Sequence, residues 1–184
     1  DTHTRALDRV AEAAQLCGKV KLDDDIVVCV QGDEPLVTPD LIDEVTRPFH
    51  EDPDVDATIL AIPIIDKEVF INPDTVKLVH DLQRNVLYTS RSPIPYAEEF
   101  NSDLGALRVG GIFGFKWKFL RWFTLNSETP LEIKESCDSN RIYEHGFTQR
   151  AAVVSYRPYL SVDSPSDIGK VEKALPEDQL WGAY

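Results

Sequence analysis

Positive charge is scarce in this chain: its 184 residues carry 19 Lys and Arg against 32 Asp and Glu, for a formal net charge of -13. A surface that binds nucleic acid or an anionic membrane needs clustered cations to displace counterions, so no nucleic acid and no membrane is expected as partner. Long apolar runs are missing as well. Nothing approaches the roughly 20 residues that cross a bilayer, and the start Asp1-Thr2-His3-Thr4-Arg5 has no signal-peptide pattern. Cysteine is sparse. Cys17, Cys29 and Cys137 are odd in number and lack C-x-x-C spacing, which excludes a disulfide framework and points to reduced, mostly buried thiols in a cytoplasmic protein. His3, His50, His80 and His145 show no metal-ligand spacing with one another or with cysteine, so a zinc site is not expected. Neither a P-loop nor a G-x-S-x-G string is present. Small-molecule chemistry is what remains.

The pattern that is present alternates strands with helices. Leu7, Val10, Ala11, Ala14 and Cys17 fall at helical spacing before Gly18, a helix over about 4–17. Ile26 to Val30 is a β-branched run of the kind buried on both faces of a parallel sheet. A helix near 39–49 follows, opened by Thr38-Pro39, then a strand over 57–65 whose Pro63 marks an edge or an end. Thr75 to His80 and Val86 to Ser90 flank Asp81-Leu82-Gln83-Arg84-Asn85, a hairpin signal. Val109-Gly110-Gly111-Ile112-Phe113-Gly114-Phe115 is strand-like, and its glycines imply close approach by a ligand or neighbour. Helices near 117–124 and 131–145, a strand near 149–154 and a last helix after Ser164-Pro165-Ser166-Asp167 complete the chain. The aromatic-rich helix near 117–124 reads as core or subunit contact rather than a base-stacking platform. Together these elements predict one domain over 1–184, a three-layer α/β/α fold with a mainly parallel sheet and an inserted antiparallel hairpin.

Two aspartates occupy similar settings. Asp33 ends the Ile26–Val30 strand within Gln31-Gly32-Asp33-Glu34-Pro35, and Asp163 ends the extended run Leu160-Ser161-Val162 just before a proline-started helix. Ligands of open α/β sheets bind at such carboxyl ends. Two carboxylates about 4 Å apart repel by about 4 kcal/mol at an effective dielectric near 20, so a converging pair calls for a shared proton or a cation. Mg²⁺ suits them better than zinc, because it takes one or two carboxylates and completes its octahedron with water and phosphate oxygens. Spacing alone leaves a second reading open, in which Asp163 caps its helix and Asp33 closes a turn.

Six segments in order bear on that choice: Gln31-Gly32-Asp33-Glu34-Pro35; Asn72-Pro73 with Val76-Lys77; Tyr88 through Ser90-Arg91-Ser92-Pro93-Ile94-Pro95-Tyr96; Pro130-Leu131-Glu132; Glu144-His145-Gly146; and Val162-Asp163-Ser164-Pro165-Ser166-Asp167. With Asp8-Arg9-Val10-Ala11-Glu12-Ala13 they make the chain resemble the 3-deoxy-manno-octulosonate cytidylyltransferases, the CMP-Kdo synthetases, over essentially its whole length. The resemblance implies a nucleotide-diphospho-sugar transferase-like fold, CTP and a small acidic sugar as partners, and transfer of CMP to a 2-keto-3-deoxy sugar acid with release of pyrophosphate. It implies Mg²⁺ as cofactor on Asp33 and Asp163, with Arg91 facing the acid. Gln31, Gly32, Tyr96, Gly111, Asp138 and Arg141 fall on the substrate side, Asp8 and Arg9 on the nucleotide side, and the hairpin on the surface that family members use to form a homodimer. Four departures are visible. Nothing in the chain corresponds to the family's first strand and basic triphosphate loop. Arg5-Ala6-Leu7 stands where the family has Ser-Gly-Thr, Val109 and Phe113 where it has histidine and tyrosine, and Asp138-Ser139-Asn140 where an acidic-glutamine pair precedes Arg141. They leave open a different acidic acceptor, such as a nonulosonic acid, or a non-catalytic ligand-binding relative.

Overall fold

The glycine-rich run Leu107–Lys116 is the longest strand, and three other strands lie against it. A computed structural model describes residues 3, 5–162, 164–178 and 180–182. Within them the order is α1 (Ala6–Cys17), β1 (Ile26–Val30), α2 (Pro39–Glu51), β2 (Ala57–Pro63), α3 (Lys67–Ile71), β3 (Lys77–His80), β4 (Val86–Ser90), β5 (Leu107–Lys116), α4 (Trp117–Leu125), α5 (Pro130–Glu135), α6 (Asn140–Glu144), β6 (Arg150–Val153) and α7 (Pro165–Ala174). Along one edge β5 pairs antiparallel with β2, which pairs parallel with β6. The other edge of β5 is shared: β1 takes Ile112–Lys116, and β3 takes Leu107 and Arg108. β4 pairs antiparallel with β3. It follows that β1, β2, β3 and β6 run one way and β4 and β5 the other.

The expected α/β class holds, but the reversed strands are not confined to the hairpin, because β5 runs against its neighbours in the middle of the sheet. A strand's own residue pattern carries no direction; the connections on either side set it.

Alternation along the strands builds the three layers. On one face Val27, Cys29, Ala57 and Phe115 meet Leu7, Ala11 and Ala14 of α1, Phe119, Leu120 and Phe123 of α4, and Ile142 of α6. On the other, Leu60, Ile62 and Ile112 meet Leu41 and Val45 of α2. Gly114 is what lets α2 sit so close, since a β-carbon there would run into Thr58, Phe49 and Val45. The hairpin folds back over the sheet: Leu78 and Val86 pack on Ile59, Ala61 and Ala151, and Val86 N–H donates to Gln149 O at 2.9 Å. Its turn is stapled by the Asp81 carboxylate, which accepts from Gln83 and Asn85.

Two readings of the sequence need correction. The single helix expected near 131–145 is two short ones, α5 and α6, parted by Ser136 at φ 49. Cys137 therefore sits in a break rather than in an element. The run Leu160–Val162 forms no strand. α3 was not anticipated from the sequence.

Candidate active site

β1 ends where β3 begins, on the same edge of β5. Gln31 N–H donates to Gly111 O and Val109 N–H to Val76 O, each at 2.9 Å. Between those two bonds a cleft of about 380 Å³ opens, with Val109, Gly111 and Phe113 of β5 among its lining. One wall is the turn after β1, with Gln31, Asp33 and Glu34; a second holds Asp74, Val76 and Arg91; a third holds Arg5, Ser136, Asp138 and Ser139. It is a polar pocket at the carboxyl end of a strand, where open α/β sheets hold ligands.

Adjacent carboxylates at the mouth have opposite fates. Asp33 is exposed, and no described residue donates to or pairs with its carboxylate. Glu34 is buried and turns inward, where Gly111 N–H donates to it at 3.1 Å and Ser161 Oγ at 3.0 Å. Burial pushes the Glu34 carboxyl above its ordinary range, the donors only partly opposing it. Gly111 of β5 serves this contact. Two residue steps of β2, Ile59 to Ala61, span four steps of β5, Phe113 to Val109, so Gly110 and Gly111 lie in a bulge. A β-carbon on Gly111 would collide with the Glu34 side chain. The neighbour that Gly111 anticipates is Glu34, while Gly110 makes room for Leu60 and Ile62.

The second wall is made by cations holding carbonyls. Lys77, fully buried, donates from Nζ to Asn72 O at 2.8 Å, Thr75 O at 2.6 Å and Arg91 O at 2.5 Å; burial, with the nearby Arg91 charge, pulls its pKa down to about 8. Arg91 donates from Nε to Glu135 O and from Nη1 to Pro73 O, both at 2.9 Å. Glu135 accepts in turn from Tyr88, Ser90 and the Arg91 N–H. Burial disfavours its charge, but those donors outweigh burial and hold its carboxyl below the usual range. In the third wall Arg5 Nη1 lies 3.2 Å from Asp138 Oδ1. Burial still pushes the Asp138 carboxyl up.

A family model for cytidylyltransferases matches residues 1–154 of the 184. The chain belongs to the cytidylyltransferase family. It is 37% identical to the 3-deoxy-manno-octulosonate cytidylyltransferase of Syntrophus aciditrophicus (strain SB), over 94% of this chain and 68% of that protein. With the enzyme of the same name from Desulfosudis oleivorans (strain DSM 6200 / JCM 39069 / Hxd3) the identity is 39%, over 91% of this chain and 66% of the relative. The chain thus spans about two thirds of the length of these relatives. Among solved structures, a CMP:2-keto-3-deoxy-manno-octonic acid synthetase complexed with CTP superposes with a TM-score of 0.81 at 29% identity, covering 96% of this chain and 70% of that one.

In this cytidylyltransferase the fold gathers Gln31, Asp33, Arg91, Gly111 and Asp138 around one cleft. Arg9 and Gly32 line a shallower depression of about 430 Å³ on the far side of the same turn, which also includes Gln31 and Asp33. Asp8 lines neither. Tyr96 stands apart on a loop, 88% exposed. Arg141 is turned away altogether: buried, it pairs with Glu132 through Nε at 2.8 Å and Nη2 at 2.5 Å and donates to Phe123 O and Asn126 O. A guanidinium so engaged is framework. Asp163 lies outside the described residues, although its neighbour Val162 donates to Asp33 O at 2.9 Å. The sequence presents Glu34, Ser161 and Lys77 only as members of longer runs, with no role of their own, and gives no sign of Glu135.

Proposed function

We propose that this chain transfers CMP from CTP to a 2-keto-3-deoxy sugar acid of the Kdo type and releases pyrophosphate. The observation that carries the reading is the exposed Asp33 carboxylate in a cleft that Arg91 also lines, within a cytidylyltransferase fold. In the reaction an acceptor hydroxyl oxygen bonds to the α-phosphorus as the bond to the bridging oxygen breaks. Pyrophosphate leaves and the hydroxyl proton passes to solvent. Little covalent work falls to the protein, whose task is to align the two reactants and offset charge.

Mg²⁺ is part of the proposal. Among the described residues no three His, Cys, Asp or Glu side chains form a metal cage. A cation that needs only one or two carboxylates and fills its remaining positions with water and phosphate oxygens suits a solitary, solvent-open Asp33. When bound it would neutralise phosphate charge; Asp33, with Asp163 as second ligand, would hold it. Arg91 is anchored through Nε, Nη1 and Nη2 to the Glu135, Pro73 and Ser136 carbonyls and would meet the acceptor carboxylate with the N–H that each Nη retains. We also propose that the enzyme is cytoplasmic and works as a homodimer joined through the hairpin, where Leu82 is 97% and Leu87 60% exposed. Light scattering of the complete protein at twice its chain mass supports the dimer, and a monomer mass refutes it.

The test is pyrophosphate release by the complete protein with CTP, Mg²⁺ and a panel of sugar acids. Val109 and Phe113 make part of the cleft apolar, so the panel includes acids with fewer hydroxyls than Kdo. Release with an acidic acceptor supports the reading, and no release with any of them overturns it.

A further inference from the structure

Lys77 is the puzzle in this wall. Its side chain has no solvent exposure, and no carboxylate of the described residues lies within ion-pair distance of its ammonium. Burying a charge without a counter-charge is costly, and an apolar side chain of similar length would fill the same volume without that cost. What the ammonium has instead is a full set of acceptors: three donors meet three main-chain carbonyls, of Asn72, Thr75 and Arg91. Those carbonyls belong to two segments. Asn72 and Thr75 flank the bend that carries Asp74 to the cleft, and Arg91 follows directly on β4.

Arg91 uses the same bend from outside. Its Nη1 takes Pro73 O, the carbonyl between the two that Lys77 takes, while Nε and Nη2 reach across to Glu135 O and Ser136 O. The bend at 72–75 is thus draped over two cations, one buried and one facing the cleft, and the buried one grips the main chain of the other. Lys77 itself cannot drift, because β3 holds it between Ser90 of β4 and Arg108 of β5.

We propose that Lys77 is a positioning residue for the acceptor acid: its buried ammonium fixes the Arg91 main chain and the adjoining bend, and so sets where the Arg91 guanidinium stands in the cleft. The proposal rests on the reading that Arg91 faces the acceptor. Lys77→Met keeps the length and apolar packing and removes all three donors. In the complete enzyme it raises the KM for the sugar acid tenfold or more and leaves that for CTP within twofold. In an Arg91→Ala background Lys77→Met changes the acceptor KM by less than twofold, because the group it acts through is gone. Equal rises in both Michaelis constants, or full multiplication of the two single effects, overturn the proposal. Lys77→Gln, which retains amide donors without charge, supplies the same comparison if the methionine variant does not fold. Hydrogen exchange followed by mass spectrometry separates this claim from the acceptor reading, since it needs no turnover. Faster exchange across residues 72–76 and 89–92 in the variant supports the role of Lys77 even if no acid is a substrate, and unchanged exchange there refutes it even in an active enzyme.

Discussion

Asp33 and Glu34 are consecutive carboxylates that the end of β1 sends in opposite directions, one to solvent and one inward to Gly111 and Ser161. Glu34 makes a pH prediction possible. Its carboxyl is raised above the ordinary 4.5 by burial, so the folded chain holds that proton more tightly than the unfolded chain does. The sign follows: the contribution to stability is fully present below the unfolded value and is lost as pH rises through the folded one. Wild-type urea midpoints therefore fall relative to those of Glu34→Gln as pH increases from about 4.5, and parallel curves would refute the assignment. Glu34→Ala, which strands the Gly111 N–H, costs about 1–3 kcal/mol in the same assay. Asp33 was legible in the sequence because a strand, a glycine and an acid stand together. Glu34 was not, since its partners lie 77 and 127 residues away.

Elements show the same division. α1, β1, α2, β2, the hairpin and α4 were legible because each carries its own period and its own stop: Gly18 at φ 64, for instance, closes α1 in the left-handed conformation. The split between α5 and α6 was not. What meets the break is distant in sequence: Arg91 donates to the Glu135 and Ser136 carbonyls just where a continuing helix would use them, and Ser136 stands there in the left-handed conformation. Ser136→Gly is therefore expected to leave stability unchanged or slightly improved, while Ser136→Val, β-branched at positive φ, lowers it by about 1–2 kcal/mol. Denaturant midpoints decide between these; a valine as well tolerated as glycine would show that the left-handed residue is not what divides the helices.

At the scale of the whole molecule, a net charge of -13 sets the terms on which a polyphosphate is received. A divalent cation that neutralises phosphate charge is part of the proposed reaction, and its removal is the test at this scale. Chelation should abolish pyrophosphate release and added Mg²⁺ restore it, with Asp33→Asn nearly inactive and its thermal midpoint unchanged. Full activity in that variant, or in the presence of excess chelator, would remove Asp33 and the cation from the mechanism. The α/β class was readable from alternation, but the direction of β5, and with it the position of the cleft, was not. That position depends on two strands meeting end to end along one edge of a third.

The meeting of β1 and β3 on β5 has a consequence for how such a site can change. Its floor is a seam in the sheet, and the spacing of its two ends is fixed by strand register rather than by the size of any side chain. Substitutions in the walls can alter which groups a ligand must present, whereas the reach required of that ligand shifts only in whole residues, by insertion or deletion in β5.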